Sequence, residues 1–243
     1  VRSRGLGDVY KRQARRYAQI SAHLTSDMVE ASKALLTAMG IPWVQAPSEG
    51  EAQAAFMAMR GDAWATASQD YDSLLFGSPR LVRNLTISGR RKLPRKEVYV
   101  EVKPEVVELD ALLRGLGISR EQLIDVAILI GTDYNPEGVR GVGPKTALQL
   151  VKTYGSLERA LRALPTARFP VPPEEIRGFF LNPPVTADYV LEWREPDAGR
   201  VREILVEEYE FSEERVSNAL DRLARALKSL RSPGAGLGRW FKR

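Results

Sequence analysis

The 243-residue sequence has no cysteine and a single histidine, His23. The first absence removes disulfides, thiolate nucleophiles and cysteine-ligated zinc. The second restricts any Ser-His-Asp triad to His23, which falls on a helical pattern beside Leu24 and reads as an ordinary surface or core residue. No apolar run approaches the roughly 18 residues of a membrane span, and the charged start leads into no apolar signal segment. Acids are also missing locally. Arg80, Arg83, Arg90, Arg91, Lys92, Arg95 and Lys96 follow one another without one, as do the seven basic residues from Arg222 to Arg243.

With those classes removed, hydrolytic chemistry is left to carboxylates and metal. At 44% hydrophobic and 28% charged, the chain can bury a sizeable core with or without a smaller lobe. The net charge is +5. Basic faces flanking an acidic focus suit a polyanion held across a metal site, and equally describe a solvated surface.

Residues 1–13 have no helical or strand period and read as translated adapter or vector sequence, outside the fold. A helix is expected from about Ala14 to Met39, on the spacing of Tyr17, Ile20, Leu24, Met28, Leu35 and Met39, with a stop at Gly40. Ile41 to Val44 reads as a strand, Ser48 to about Arg60 as a helix and Trp64 to Ser68 as a buried strand. Arg80–Leu85 and Glu97–Val102 read as a strand pair around Ser88-Gly89. From Pro104 the patterns are almost all helical. Ser119 and Gln122 form a capping box, a helix follows Ser156, and Ser212 caps a last long helix. The expected fold class is α/β: a partial parallel sheet flanked by helices, then a mostly helical region.

Three segments place acids at the ends of apolar elements: Glu49 and Glu51 in PSEGEA, Asp70 and Asp72 in SQDYD, and Asp133 in GTDY. Each has a local alternative. Ser48 with Glu51 matches a capping box, Asp70 and Asp72 suit a turn or cap, and Asp133 suits an Asx-turn. Jointly they suit the carboxyl ends of parallel strands, where open sheets bind ligands. Crowded carboxylates raise one another's pKa, and a divalent cation removes that penalty. Oxygen-only ligands favour Mg²⁺ or Mn²⁺, and paired ions serve phosphodiester hydrolysis. Separately, Gly141-Val142-Gly143-Pro144-Lys145 opens a helix. Its bare backbone N–H groups, with Lys145 and Thr146, suit phosphate in the manner of a helix–hairpin–helix-type DNA-binding motif; a plain structural turn is the alternative.

Together, GIPWVQAPSEGEAQAA, ASQDYDSLLFGSPRLVRNLT and ILIGTDYNPEGVRGVGPKTAL resemble the flap endonucleases, the archaeal branch most, with further matches in FFLNPPVT and FSEERV. The resemblance covers Ala14 to Arg243. It implies a partial PIN-like nuclease core over 14–137, a helical DNA-binding region over 138–232 and a clamp-binding-like tail over 233–243. It further implies an intracellular, nucleoid-associated enzyme of DNA replication and repair, a structure-specific 5′ flap endonuclease and 5′→3′ exonuclease. Glu49 and Glu51 would help hold one Mg²⁺, and Asp70, Asp72 and Asp133 a second. Glu49, Gly131 and Asp133 would contact DNA, as would Gly141, Gly143, Lys145 and Thr146, with K⁺ at the glycine-rich turn. Leu237, Trp240 and Phe241 would anchor the tail on the sliding clamp. A related excision-repair or junction-resolving 5′ nuclease, and a non-catalytic branched-DNA-binding module, are the alternatives.

The resemblance also implies that the family's N-terminal portion is absent here, with two further metal carboxylates and part of the arch around the 5′ strand. The chain by itself is therefore expected to cut a 5′-flap substrate far more slowly than a full-length family member in the same buffer. Equal rates would overturn that expectation.

Overall fold

A computed structural model of the chain describes residues 24–86, 89–92 and 99–231. The chain divides into two compact units, residues 45–188 and residues 1–44 with 189–243. Among the described residues no helix is long and apolar enough to cross a membrane.

Unit 45–188 begins with α2 (Gly50–Met59), preceded in the chain by α1 (Ser26–Ala38) of the other unit. The buried face of α2 is Ala52, Gln53, Ala55 and Ala58, small residues that admit close packing. Gln53 is the polar exception. Its amide donates to Thr186 O and accepts from Thr186 N, both at 2.9 Å, fastening the segment after Pro183-Pro184. Strand β1 (Thr66–Ala67) leads into the single-turn α3 (Asp72–Leu75), and β2 (Arg80–Arg83) returns beside β1. The two pair in parallel, Thr66 with Leu81 and Ala67 with Val82. Buried Thr66 Oγ1 is hydrogen-bonded to Ser73, Ser78 and Arg80 O, so the β1–α3–β2 link is tied from inside.

A hairpin of β3 (Gly89–Lys92) and β4 (Tyr99–Val102) follows, then β5 (Glu105–Glu108). The α/β class holds, with a small sheet flanked by helices, but its pairing differs from the sequence reading. Arg80–Leu85 does not pair with the strand around 97–102. Instead β2 pairs antiparallel with β5, and β3 pairs with β4. Residues 41–44 form no ladder. The first difference reflects a partner lying beyond the next apolar run, which local periodicity does not encode.

The rest of this unit is helical: α4 (Leu109–Leu116), α5 (Arg120–Ile130), α6 (Pro144–Tyr154), α7 (Leu157–Arg162) and α8 (Pro173–Leu181). The capping box at Ser119 and Gln122 forms as expected, and Pro144 occupies the first position of α6. Ile124, Ile128, Leu129, Val151, Leu157, Ile176 and Phe180 make the core. At one edge Asp125, only 2% exposed, accepts from Arg177 Nε at 2.7 Å and Leu157 N at 3.1 Å; Arg177 also reaches Glu158.

The other unit contains α1, α9 (Ala198–Arg202), a π-helical stretch (Glu203–Glu208) and α10 (Glu213–Arg231). Ala38 packs with Val201, Ile204, Val216 and Leu220. Helix α1 ends before Gly40, where the sequence places a stop, but it does not run through from about Ala14: Thr25 caps its start, accepting from Met28 N at 3.3 Å, and residues 14–23 lie outside the described residues.

After α5 the chain turns back so tightly that Gly138 (φ +54) lies against the end of the helix. A Cβ there would stand 2.1 Å from Ile130 O. Gly138→Ala should therefore lose about 2 kcal/mol or more, the left-handed penalty plus backbone displacement. A lowered urea midpoint with unchanged m-value is the expected result.

Candidate active site

Glu49 is the N-cap residue of α2, yet no side chain caps this helix. The capping box that Ser48 and Glu51 could have made does not form. Glu51 instead accepts a hydrogen bond from Ser68 Oγ, just beyond β1. Ser68 Oγ also accepts from Asp70 N at 3.0 Å, so one hydroxyl joins the first acidic segment to the second. The other oxygen of Glu51, Oε2, is buried without a hydrogen-bond partner. An unpaired buried carboxylate oxygen is costly unless something positive meets it.

The β1–α3 link sets the second segment. Asp70 Oδ1 accepts from Tyr71 N at 2.8 Å, and Asp72 opens α3 half-buried. The Asp72 carboxyl is pushed up to about 6. Burial is the main cause, followed by the charges of Asp70, Glu51, Asp133 and Glu49. All five acids picked out in the sequence thus share one electrostatic neighbourhood centred on Asp72. They do not close into a cage: among the described residues, no three such side chains surround a point as a ready ion site. Repulsion extends over more space than coordination does, so the acids act on Asp72 without closing round a point. The donor set is all oxygen, its central member resists ionising, and one buried oxygen lacks a donor. Those properties fit a hard divalent cation.

The third segment follows α5, with Gly131 as its C-cap residue. Its turn is held by Thr132 Oγ1, 2.6 Å from Asn135 Oδ1, and by Asn135 Nδ2 donating to Ile128 O at 2.7 Å. Asp133 is exposed beside them, so the turn rests on its neighbours rather than on an Asx-turn at Asp133. The Tyr134 hydroxyl donates to Glu49 Oε1 at 2.7 Å, joining the third segment to the first. Burial, then the Glu49 carboxylate, raises the tyrosine's pKa above its ordinary value.

Two side chains of the basic run fold back onto the protein. Arg83 stacks 4.1 Å from the Tyr71 ring centroid and donates to Gln69 O; Arg80 lies 5.1 Å from the Trp64 ring centroid. The glycine-rich turn is open. Gly143 is the N-cap of α6, and a Cβ there would meet nothing within 4 Å, so internal packing does not demand glycine. Lys145 and Thr146 are exposed in the first turn of α6. A cleft lined by Arg140, Arg168 and Phe169 includes Gly138, just ahead of this turn. Leu237, Trp240 and Phe241 lie outside the described residues.

Sequence reasoning missed Ser68 and Tyr134 as site members. Their only signal was nearness in sequence to Asp70 and Asp133, since the hydrogen bonds they make span 17 and 85 residues.

The raised pKa of Asp72 has a sign. The folded state holds its proton more tightly than the unfolded chain does, so the penalty is absent below the ordinary 3.8 and complete above about 6. In chelator-treated protein Asp72→Asn should therefore raise the melting temperature at pH 7 and not at pH 3.5. Allowing for solvent screening of a half-exposed group, the gain is about 1 kcal/mol, or roughly 2–4 °C. Equal gains at both pH values would contradict the assignment.

The XPG I-region family matches residues 40–133, which contain all five acids. Flap endonuclease 1 of Staphylothermus marinus is 64% identical over 229 residues, 94% of this chain and 65% of that protein. Flap endonuclease 1 of Ignicoccus hospitalis is 62% identical over 238 residues, 98% of this chain and 67% of that protein. The chain thus spans slightly under two thirds of the first relative's length and about two thirds of the second's. The solved flap endonuclease-1 of Methanococcus jannaschii superposes with a TM-score of 0.71 at 44% identity, covering 87% of this chain and 62% of that one. With this identity sustained over nearly the whole chain, the chain belongs to the flap endonuclease family.

Proposed function

We propose that this chain carries the carboxylate and duplex-gripping parts of a structure-specific 5′ nuclease. The reaction is Mg²⁺-dependent hydrolysis of phosphodiesters at 5′ flaps, with 5′→3′ exonuclease action, inside the cell and in DNA replication and repair. The observation that carries it is the five-acid neighbourhood: Asp72 held near pKa 6 by burial and four other carboxylates, beside a buried Glu51 oxygen with no donor.

Glu49 and Glu51 would hold one divalent ion, and Asp70, Asp72 and Asp133 the second, with Mn²⁺ an acceptable substitute. Bound there, such ions supply Lewis acidity to water and to the scissile phosphate. The protein's own residues keep the acids in register. Ser68 fixes Glu51, Asp70 is turned by its bond to Tyr71 N, and Asp72 is fixed by its place at the start of α3. Gly141, Gly143, Lys145 and Thr146 would grip duplex backbone at the open start of α6, with K⁺ among the turn's carbonyls. Backbone contacts of this kind position DNA without reading sequence. The tail residues Leu237, Trp240 and Phe241 would engage a sliding clamp, an apolar anchor set beyond the basic end of α10. A non-catalytic branched-DNA module that uses the same open turn is the second reading.

Calorimetric titration of the chain with Mg²⁺ or Mn²⁺ tests the carboxylate reading: Glu51→Gln and Asp72→Asn should each weaken binding at least tenfold. Variants that bind as the wild type does would refute it. Flap-DNA binding tests the grip. Lys145→Ala should flatten the plot of log affinity against log salt by about one. An unchanged slope removes Lys145 from the interface.

A further inference from the structure

Glu49 poses a mechanical problem. It is an exposed N-cap residue, and its carboxylate makes no capping bond to its own helix. A free glutamate side chain samples many rotamers, and fixing it for coordination costs conformational entropy. Something outside α2 has to hold it if it is to be a ligand.

Tyr134 is built for that. Its hydroxyl is 2.7 Å from Glu49 Oε1, across 85 residues of sequence. The ring has little freedom. Phe179 stands 5.0 Å away at 60° and Phe180 5.8 Å away at 79°, both edge-on. Phe76 backs both phenylalanines, at 5.9 and 4.9 Å. The backbone is pinned as well, since Tyr134 N donates to Thr132 Oγ1 at 3.3 Å within the turn that Asn135 ties to α5. The hydroxyl therefore projects from a rigid aromatic block and engages one carboxylate oxygen, leaving the other available.

We propose that Tyr134 is a positioning residue for the carboxylate site, its hydroxyl holding Glu49 in a single orientation for a divalent cation. The inference rests on the reading of Glu49 as a ligand and adds a residue that is not itself one of the five acids. It also gives the site a symmetry of construction. Ser68 ties Glu51 to the Asp70 segment, and Tyr134 ties Glu49 to the Asp133 segment, so each acid at the start of α2 is held by a hydroxyl from a different neighbouring strand end or turn. Outer partners of this type typically contribute roughly 10- to 100-fold to metal affinity.

The test is Mn²⁺ binding by the full chain, followed by calorimetry and electron paramagnetic resonance, in wild type, Tyr134→Phe, Glu49→Gln and the double variant. Phenylalanine keeps the ring contacts, so the chelator-treated melting temperature should stay within about a degree or two while Mn²⁺ affinity falls about tenfold. Because Tyr134 acts through Glu49, adding Y134F to E49Q should cost nothing further. A merely structural role would give additive losses, and additivity overturns the proposal. So does a Y134F variant that binds Mn²⁺ as tightly as wild type. If E49Q itself binds as wild type does, Glu49 is not a ligand and the proposal falls with that assignment. If wild type binds no Mn²⁺, the carboxylate reading fails as a whole.

Discussion

Carboxylates gathered into one half-buried space repel one another, and Asp72 is where that repulsion accumulates. Its side chain opens the one-turn helix α3, partly withdrawn from water, with Asp70, Glu51, Asp133 and Glu49 all acting on it. A fold selected for stability alone would not retain this arrangement, because each acid is more stable apart from the others. The unit that carries it therefore has to hold three separate chain segments against a force that pushes them apart. Hydroxyls do much of the holding. Ser68 and Tyr134 each cross from one acidic segment to another, and neither adds charge to a space that already has too much.

The surrounding scaffold shows what satisfied burial looks like by contrast. Gln53 exchanges both amide bonds with the Thr186 backbone. Thr66, Ser73 and Ser78 share hydroxyl bonds under the β1–α3–β2 link. Asp125, although burial raises its pKa, is met by Arg177 and by Leu157 N, and Arg177 is held in turn by Glu158. Among the described residues, Glu51 Oε2 is the one buried side-chain oxygen or nitrogen left without a partner. A scaffold that completes every other such group has its exception within the cluster of acids, on a residue proposed as an ion ligand.

What the sequence made legible follows from distance along the chain. The Ser119–Gln122 capping box, the Gly143-Pro144 start of α6 and the end of α1 before Gly40 are short-range chemistry, and each forms where it was expected. Pairing was not legible. The apolar centre of β2, Leu81 and Val82, does not say whether that strand meets the next apolar run or a later one, and it meets Glu105–Glu108. At Ser48 and Glu51 the spacing left a capping box open as the local alternative, and tertiary structure overrides it in favour of Ser68. The acids themselves were visible because charge at the end of an apolar element is anomalous. Ser68 and Tyr134 were not, because an uncharged hydroxyl next to an acid is unremarkable until the fold brings its partner within hydrogen-bonding distance.

The same electrostatics bears on how such a site could approach DNA. Five acids present a negative field to a polyanion, and the attraction has to come from elsewhere on the surface. Arg80 and Arg83 are poor candidates, since their guanidinium groups stack on Trp64 and Tyr71. The open start of α6, with Lys145 exposed and Arg140 exposed beside Glu137 at the adjoining cleft, retains cationic groups at the surface. Under the proposed reading, grip and chemistry are then necessarily separate. Backbone phosphates are attracted to the glycine-rich turn at any metal concentration, whereas the acidic neighbourhood admits a phosphate only once divalent charge has reversed its sign. Coupling between metal and DNA at the carboxylates, with none at the turn, is the physical consequence of placing the two charges on different elements of one unit.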